Sequence, residues 1–322
     1  MSVSHRIAVV TGTRAEFGLL RPVMHAIESH HALSLQVFVT GTHLLSDHPT
    51  ANEVAECFDI IAMVPMQQSE SGDRFDDAVA LGRGVVGLSE QLRNHQPDVV
   101  LVLGDRIEAF AAASAASIAG IRIAHMHGGD RAEGIADEAM RHAISKLAHI
   151  HLPATECAAQ RLIQMGEEPN RIYNVGSPAI DDLKTIEPLD DETYQQLGQP
   201  QIVFLLHPTA RDEKEESQCA QRLLKCCCNA GRVIALHPNH DPGRDSIVRA
   251  IESVAGITTL AHLPRAEFIG LLKRADAIVG NSSAGLIEAA ALGLASINVG
   301  RRQAGRIKPN NVTDIPDWSW AR

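Results

Sequence analysis

Short runs of β-branched and aliphatic residues alternate with longer helical patterns along almost the whole chain, and few folds accommodate that alternation. Strands are expected at Arg6–Val10, Leu35–Val39, Asp98–Leu103, Arg122–His125, His149–Leu152 and Arg171–Asn174. A second series is expected at Ile202–Leu206, Val233–Leu236, Ile257–Leu260, Ala277–Val279 and Ala295–Asn298. Runs such as VVLVL are apolar at every position, as in strands buried on both faces of a parallel sheet. Strands of this kind with helices between them indicate an α/β fold of doubly wound sheets. The 322 residues suit two domains of about 150 residues each. A polar, acidic stretch with two prolines at Asp182–Gln201 is expected to separate them. The expected domains are therefore 1–182 and 183–322, two Rossmann-like halves with a cleft between them.

Ligands of open α/β sheets bind at the carboxyl ends of strands, so the residues there carry the functional reading. One apolar run ends in Gly104-Asp105-Arg106. The next ends in His125-Met126-His127-Gly128-Gly129-Asp130, and Asp137, Glu138, Arg141 and His142 follow at helical spacing. Asp137/Arg141 and Glu138/His142 are i,i+4 neighbours, which a surface salt-bridge ladder would also produce. Acids, imidazoles and guanidinium groups at one sheet edge point to chemistry on a charged small molecule. The first strand runs into Thr11-Gly12-Thr13-Arg14-Ala15-Glu16, a turn into a helix whose free N–H groups favour an anion. Arg14 is a candidate phosphate clamp there, against the alternative of a solvated side chain. The segment is neither GxGxxG nor GxxxxGK[ST], which argues against a nicotinamide cofactor and an NTPase loop.

In the second half, Gly280 leads into Asn281, Ser282 and Ser283, all good N-caps, with Glu288 expected about one and a half turns into the helix. Hydroxyls and free N–H groups suit a diphosphate, and a deeper carboxylate suits a ribose diol. His207 and His237 each follow an expected strand, and Arg301 and Arg302 follow the last one. The spacings His125-x-His127 and His149-x-His151 would put two imidazoles on one strand face, a feature shared with binuclear metallophosphoesterases. The Asn-His pair of such enzymes is missing from the first half, so no metal is expected, and His149 and His151 are read as strand residues in or near the core.

The formal charge of −10 argues against a nucleic-acid polymer as partner. It leaves room for a nucleotide, since a few arginines suffice to clamp a diphosphate. Only 3% of residues are aromatic, so Ala, Leu, Val and Ile must build the core. No signal peptide or membrane-spanning run is read, and the six cysteines lack CxxC spacing. A reduced, cytoplasmic chain is expected. The triplet Cys226-Cys227-Cys228 reads as small buried apolar side chains. The stretch from Gly41 to Ser71 has little periodicity and reads as a partly mobile, cleft-facing loop around His43–Thr50.

Taken together, TGTRAEFG, PDVVLVLGDRIE, HMHGGDRAEGIADEAMRHAISKLAH, RIYNVGSPAID, LHPNHD and GNSSAGLIEAAALG resemble the hydrolysing UDP-N-acetylglucosamine 2-epimerases of the sialic-acid and legionaminic-acid type. The resemblance implies a glycosyltransferase-B-like fold and a UDP-sugar substrate without further cofactor. It also implies a homodimer and a product epimerised at C2. Asp105, His127, Asp130, Asp137 and Arg141 then correspond to the catalytic region, and Asp105 and Asp137 match acid/base positions. Arg14, Arg106, His207, Asn239, Ser282, Ser283, Glu288 and Arg302 correspond to the UDP-binding positions. The chain departs from the better-known branch at His127, where that branch has Glu, and at Asp130, where it has Glu. Gly18-Leu19 stands where Lys or Ser is frequent. The family pattern also continues with a helical segment past the point where this sequence ends. The alternatives are a UDP-N,N'-diacetylbacillosamine 2-epimerase, a UDP-sugar-binding protein without turnover, and a glycosyltransferase.

Overall fold

The computed structural model describes residues 4–45, 50–69, 73–131, 137–209, 212–239 and 243–316. The chain divides into two compact units, Met1–Asp130 with Ala136–Pro178, and Arg131–Ile135 with Ala179–Arg322.

The first unit is a parallel sheet in the order β3-β2-β1-β4-β5-β6. Its elements are β1 (His5–Thr11), α1 (Arg14–Glu28), β2 (Leu33–Thr40), α2 (Ala51–Ala55), β3 (Ile60–Val64), α3 (Arg74–His95), β4 (Val99–Leu103), α4 (Ile107–Ile118), β5 (Arg122–Met126), α5 (Asp137–Leu147), β6 (Ile150–Leu152) and α6 (Glu156–Gln164). Side chains alternate across each strand. Val100 and Val102 pack with Leu88, Leu92 and the alanines of α4. Leu101 and Leu103 pack on the other face with Phe17, Leu20 and Met24 of α1. Burial on both faces is why these strands carry no polar alternation. Small residues replace aromatics where helices approach closely: a Cβ on Gly84 would meet Ala111 Cβ at 3.0 Å and Met66 Cε at 2.6 Å.

The second unit contains α7 (Asp191–Gln196), β7 (Ile202–Leu205), α8 (Glu213–Ala230), β8 (Val233–Leu236), α9 (Arg244–Glu252), β9 (Thr258–Leu260), α10 (Arg265–Leu272), β10 (Ala277–Gly280), α11 (Glu288–Leu292), β11 (Ala295–Val299) and β12 (Val312–Ile315). Its sheet order is β12-β11-β10-β7-β8-β9, again all parallel. Counted from its own first strand, this repeats the order of the first unit. The order reverses between β1 and β4 in one unit and between β7 and β10 in the other, which are the ligand-binding positions of such sheets.

Several expectations change. β3 and β12 are strands that the pattern did not indicate. The expected strand Arg171–Asn174 is a 3-10 turn at Pro169–Arg171 followed by a single bridge from Ile172 to His151; Pro169 fixes the turn and removes a donor. Of the cysteine triplet only Cys227 is buried, Cys226 is exposed and Cys228 half-buried, and all six cysteines are free. Three successive helical residues spread over about 200°, so they cannot all face one core. Among the described residues no helix is long and apolar enough to cross a membrane.

Candidate active site

Two adjacent strand ends in the first unit are tied together by one buried arginine. Arg141 projects from α5 and is 1% exposed. Its guanidinium forms an ion pair with Asp105, just past β4, and Nη1 donates to the Asp130 carbonyl at 3.1 Å, just past β5. Arg141 is thus a buried clamp, where the helical spacing alone also allowed a surface ladder. Such a charge is tolerated in the interior only when paired and hydrogen-bonded. Glu138 and His142 do lie together, at 3.8 Å. Asp137 opens α5, and its side chain lies outside the described residues.

The histidines divide by role. His125 is fully buried: Nε2 donates to the Gly104 carbonyl at 2.8 Å and Nδ1 meets Ser145 Oγ at 3.1 Å. Burial holds its pKa down, at about 4, so it is a neutral strut between the β4 end and α5. β5 stops at Met126, and His127 adopts a left-handed backbone with φ of +60°, a conformation costing on the order of 1 kcal/mol. His127 lies past the end of β5, and the two imidazoles have separate partners, Gly104 and Ser145 for His125 and Asp130 and Ser177 for His127. His127 Nδ1 lies 3.3 Å from Asp130 Oδ2, and Nε2 lies 3.1 Å from Ser177 Oγ. His151 is buried 3.1 Å from Glu167, its pKa lowered mainly by burial. His149, expected in or near the core, precedes β6 and is exposed; its Nδ1 accepts from Ile123 N–H at 3.3 Å. Among the described residues no group of three His, Cys, Asp or Glu side chains could hold a metal ion.

At the β1/β4 reversal, Thr13 caps α1 by accepting from Glu16 N–H at 3.3 Å. Glu16 folds back to accept from Gly12 N–H at 2.8 Å. The chain thereby satisfies one of the donors that an anion would use. Burial pushes the Glu16 carboxyl up to about 8. Glu108 lies beneath Gly12 and Gly41, where a Cβ at either glycine would come within 2.7 Å of its side chain. Glu108 accepts from Gln67 at 2.6 Å and pairs with Arg106 at 3.4 Å. Arg14 is held by both carboxylate oxygens of Glu53 on α2, at 2.7 and 2.6 Å. His43 is buried in a 3-10 turn between Thr11 and Thr50, contrary to a mobile loop reading, and burial lowers its pKa to about 4. Residues 46–49 of that expected loop lie outside the described residues.

In the second unit Asn281 is the organising side chain. Its amide accepts from His207 N–H at 2.7 Å and donates to the His207 carbonyl at 2.8 Å, locking the β7 exit to the β10 exit. Its own carbonyl accepts from Gln303 at 2.9 Å and Arg302 at 3.4 Å. His207 Nδ1 in turn accepts from Asn239 N–H at 3.1 Å. The expected continuous helix from Ser283 to Glu288 is a 3-10 turn, Ser283–Gly285, capped by Ser282, followed by the short α11 starting at Glu288. Gly285 interrupts it, packed so closely on β11 that a Cβ would lie 2.6 Å from Ser296 Oγ. Glu288 is gripped by Arg265 at 3.4 Å, and Arg265 also binds Asp182 at 2.9 Å and the Ala179 carbonyl at 2.6 Å. The sequence reading missed Glu16, Glu108, Ser177 and Arg265. Only Glu16 left a signal, the Thr13-x-x-Glu16 spacing of a capping box.

Two six-stranded parallel sheets of one order, with acids, imidazoles and arginines at their strand ends, define an α/β enzyme fold of the glycosyltransferase-B-like type. The family model described as UDP-N-acetylglucosamine 2-epimerase matches residues 25–317. The chain belongs to this family and is an enzyme of the 2-epimerase type. It is 36% identical over 321 residues to UDP-N,N'-diacetylbacillosamine 2-epimerase (hydrolyzing) of Legionella pneumophila, spanning 96% of this chain and 85% of that relative. It is 33% identical to UDP-N-acetylglucosamine 2-epimerase of Neisseria meningitidis serogroup B, spanning 94% and 81%. The crystal structure of UDP-GlcNAc 2-epimerase from Neisseria meningitidis bound to UDP-GlcNAc shares the fold, with a TM-score of 0.76 at 17% identity over 92% of this chain and 82% of that one.

Proposed function

We propose that the protein is a hydrolysing UDP-sugar 2-epimerase that converts UDP-N-acetylglucosamine and water to UDP and N-acetylmannosamine. The observation that carries this reading is the Arg141 clamp, which fixes the Asp105 and Asp130 strand ends beside each other in a chain of this family. A second reading, favoured by the 36% identical relative, has UDP-N,N'-diacetylbacillosamine as substrate in the same reaction.

The chemistry follows from the sugar. H2 has no neighbouring carbonyl and is not acidic, so C1–O cleavage must run ahead and leave an oxocarbenium-like centre. A base then removes H2, and the C–H electrons form the C1–C2 double bond of a glycal. Water adds to C1 while C2 is protonated from the opposite face, and the base returns its proton to solvent. The first unit supplies the acid/base candidates Asp105, His127, Asp130 and Asp137, with Arg141 as their clamp. Donors aimed at a leaving diphosphate lower the barrier to its departure. Arg14, Arg106, Arg302, Ser282 and Ser283 are assigned to that role, His207 and Asn239 to the UDP site, and Glu288 to the ribose diol. For Arg14, binding of the diphosphate competes with the Glu53 pair. A homodimer is the expected assembly, read by light scattering.

The test is UDP release from each of the two UDP-sugars, followed by NMR of the sugar product. Release from one names the substrate. Binding of UDP without release from either refutes the enzyme reading in favour of a UDP-sugar-binding protein.

A further inference from the structure

His127 has both ring nitrogens engaged. Nδ1 faces Asp130 Oδ2 at 3.3 Å and Nε2 faces Ser177 Oγ at 3.1 Å. A carboxylate only accepts, so a relay along this line requires the ring hydrogen on Nδ1, with Nε2 accepting from the Ser177 hydroxyl. Ser177 Oγ is thus within proton-transfer reach of His127 Nε2. Both ends of this line are held in place. His127 sits in a left-handed turn, with its N–H donating to the Leu152 carbonyl at 3.1 Å. Ser177 is buried and precedes Pro178, which confines its backbone to extended conformations. A hydroxyl, a base within hydrogen-bond reach and a carboxylate orienting the base form the arrangement by which proteins activate a hydroxyl.

We infer that Ser177 is the outer member of a proton relay, Asp130–His127–Ser177, that accepts the proton from C2 of the sugar; the inference rests on the epimerase reading above. As the C1–O bond breaks, its electron pair leaves with UDP. The C2 proton passes to Ser177 Oγ while the Ser177 hydroxyl proton passes to His127 Nε2, and the C2–H electron pair becomes the C1–C2 double bond. Ser177 ends neutral, and His127 ends as an imidazolium beside Asp130. His127 gives its extra proton to solvent as the cycle closes. Ser177 lies 50 residues from His127 in sequence, in the VGSPAID segment.

Ser177→Ala should lower kcat by about 100-fold or more, the usual scale of acid–base assistance, with KM within about threefold. Ser177→Thr, which keeps the hydroxyl, should restore kcat to within about tenfold of wild type. On a His127→Asn background, Ser177→Ala should cost less than about twofold, because members of one relay are not additive. A kcat within about threefold of wild type for Ser177→Ala, or its full cost repeated in the double variant, overturns the relay while leaving the epimerase reading intact. No UDP release by the wild-type protein overturns both. If Ser177→Ala loses its circular dichroism spectrum or its UDP binding, nitrogen-15 NMR of the wild type decides. Neutral His127 with Nδ1 protonated and Nε2 accepting is expected, and the opposite tautomer overturns the relay.

Discussion

Glu16→Gln isolates one buried carboxyl at the β1/β4 reversal. Glu16 accepts from Gly12 N–H at 2.8 Å, and a glutamine amide oxygen can accept the same bond. What the substitution removes is ionisation. Burial raises this carboxyl from 4.5 to about 8. The unfolded chain therefore loses its proton near pH 4.5 while the folded chain keeps it until about pH 8. Stability from this group is full below pH 4.5 and is lost as pH rises toward 8. At about 1.4 kcal/mol per pH unit, the interval is worth about 5 kcal/mol. His125 and His43, held neutral down to about pH 4, act in the opposite sense. Each withdraws up to about 3 kcal/mol as pH falls from 6.5 to 4, but they are common to both proteins and cancel in the difference. Urea unfolding of the first unit at several pH values reads the result. The stability of Glu16→Gln relative to wild type should rise by about 3–4 kcal/mol between about pH 5 and pH 8. Two curves that stay parallel across that range would refute the assignment of a buried neutral carboxyl.

Three further outcomes follow from the geometry. Asp105→Asn should abolish turnover but keep UDP affinity, by calorimetry, within about tenfold, or about 1.4 kcal/mol; unfolding of the variant would make Asp105 structural. Arg265→Ala should cost about 3–5 kcal/mol in thermal stability by removing the ion pairs to Asp182 and Glu288, and weaken UDP binding through Glu288; unchanged melting would contradict the clamp. Gly280→Ala puts a Cβ 1.9 Å from the Leu205 carbonyl at a φ of +150°, so the second unit should lose its cooperative melting transition, and a wild-type transition would contradict the reading.

The strands buried on both faces were legible because nothing on either side dilutes their apolar runs. β3 escaped because it is the sheet edge, where Ile61 and Met63 are exposed and the run IIAMV shows no alternation. β12 escaped because VTDI is short and polar. Asp105, His127 and Asp130 could be found past the strand ends and Arg141 on the helix that follows, but which of them pair could not. Arg141 reaches across 36 positions to Asp105, and no local spacing reports such a pair. Arg14 looked like a free clamp because Glu53 lies in a stretch without periodicity. Asn281 read as an N-cap, and the fold gives it the His207 backbone; an amide that both donates and accepts is suited to either task, so the sequence alone does not choose.

The most direct measurement is the deuterium content at C2 of the sugar released in deuterated water, read by NMR on incubation with each UDP-sugar. Loss of H2 to a base and reprotonation from the opposite face predict free UDP and a C2-epimerised sugar carrying one solvent deuterium at C2. Release of an unepimerised sugar that retains its original hydrogen at C2 would contradict the account.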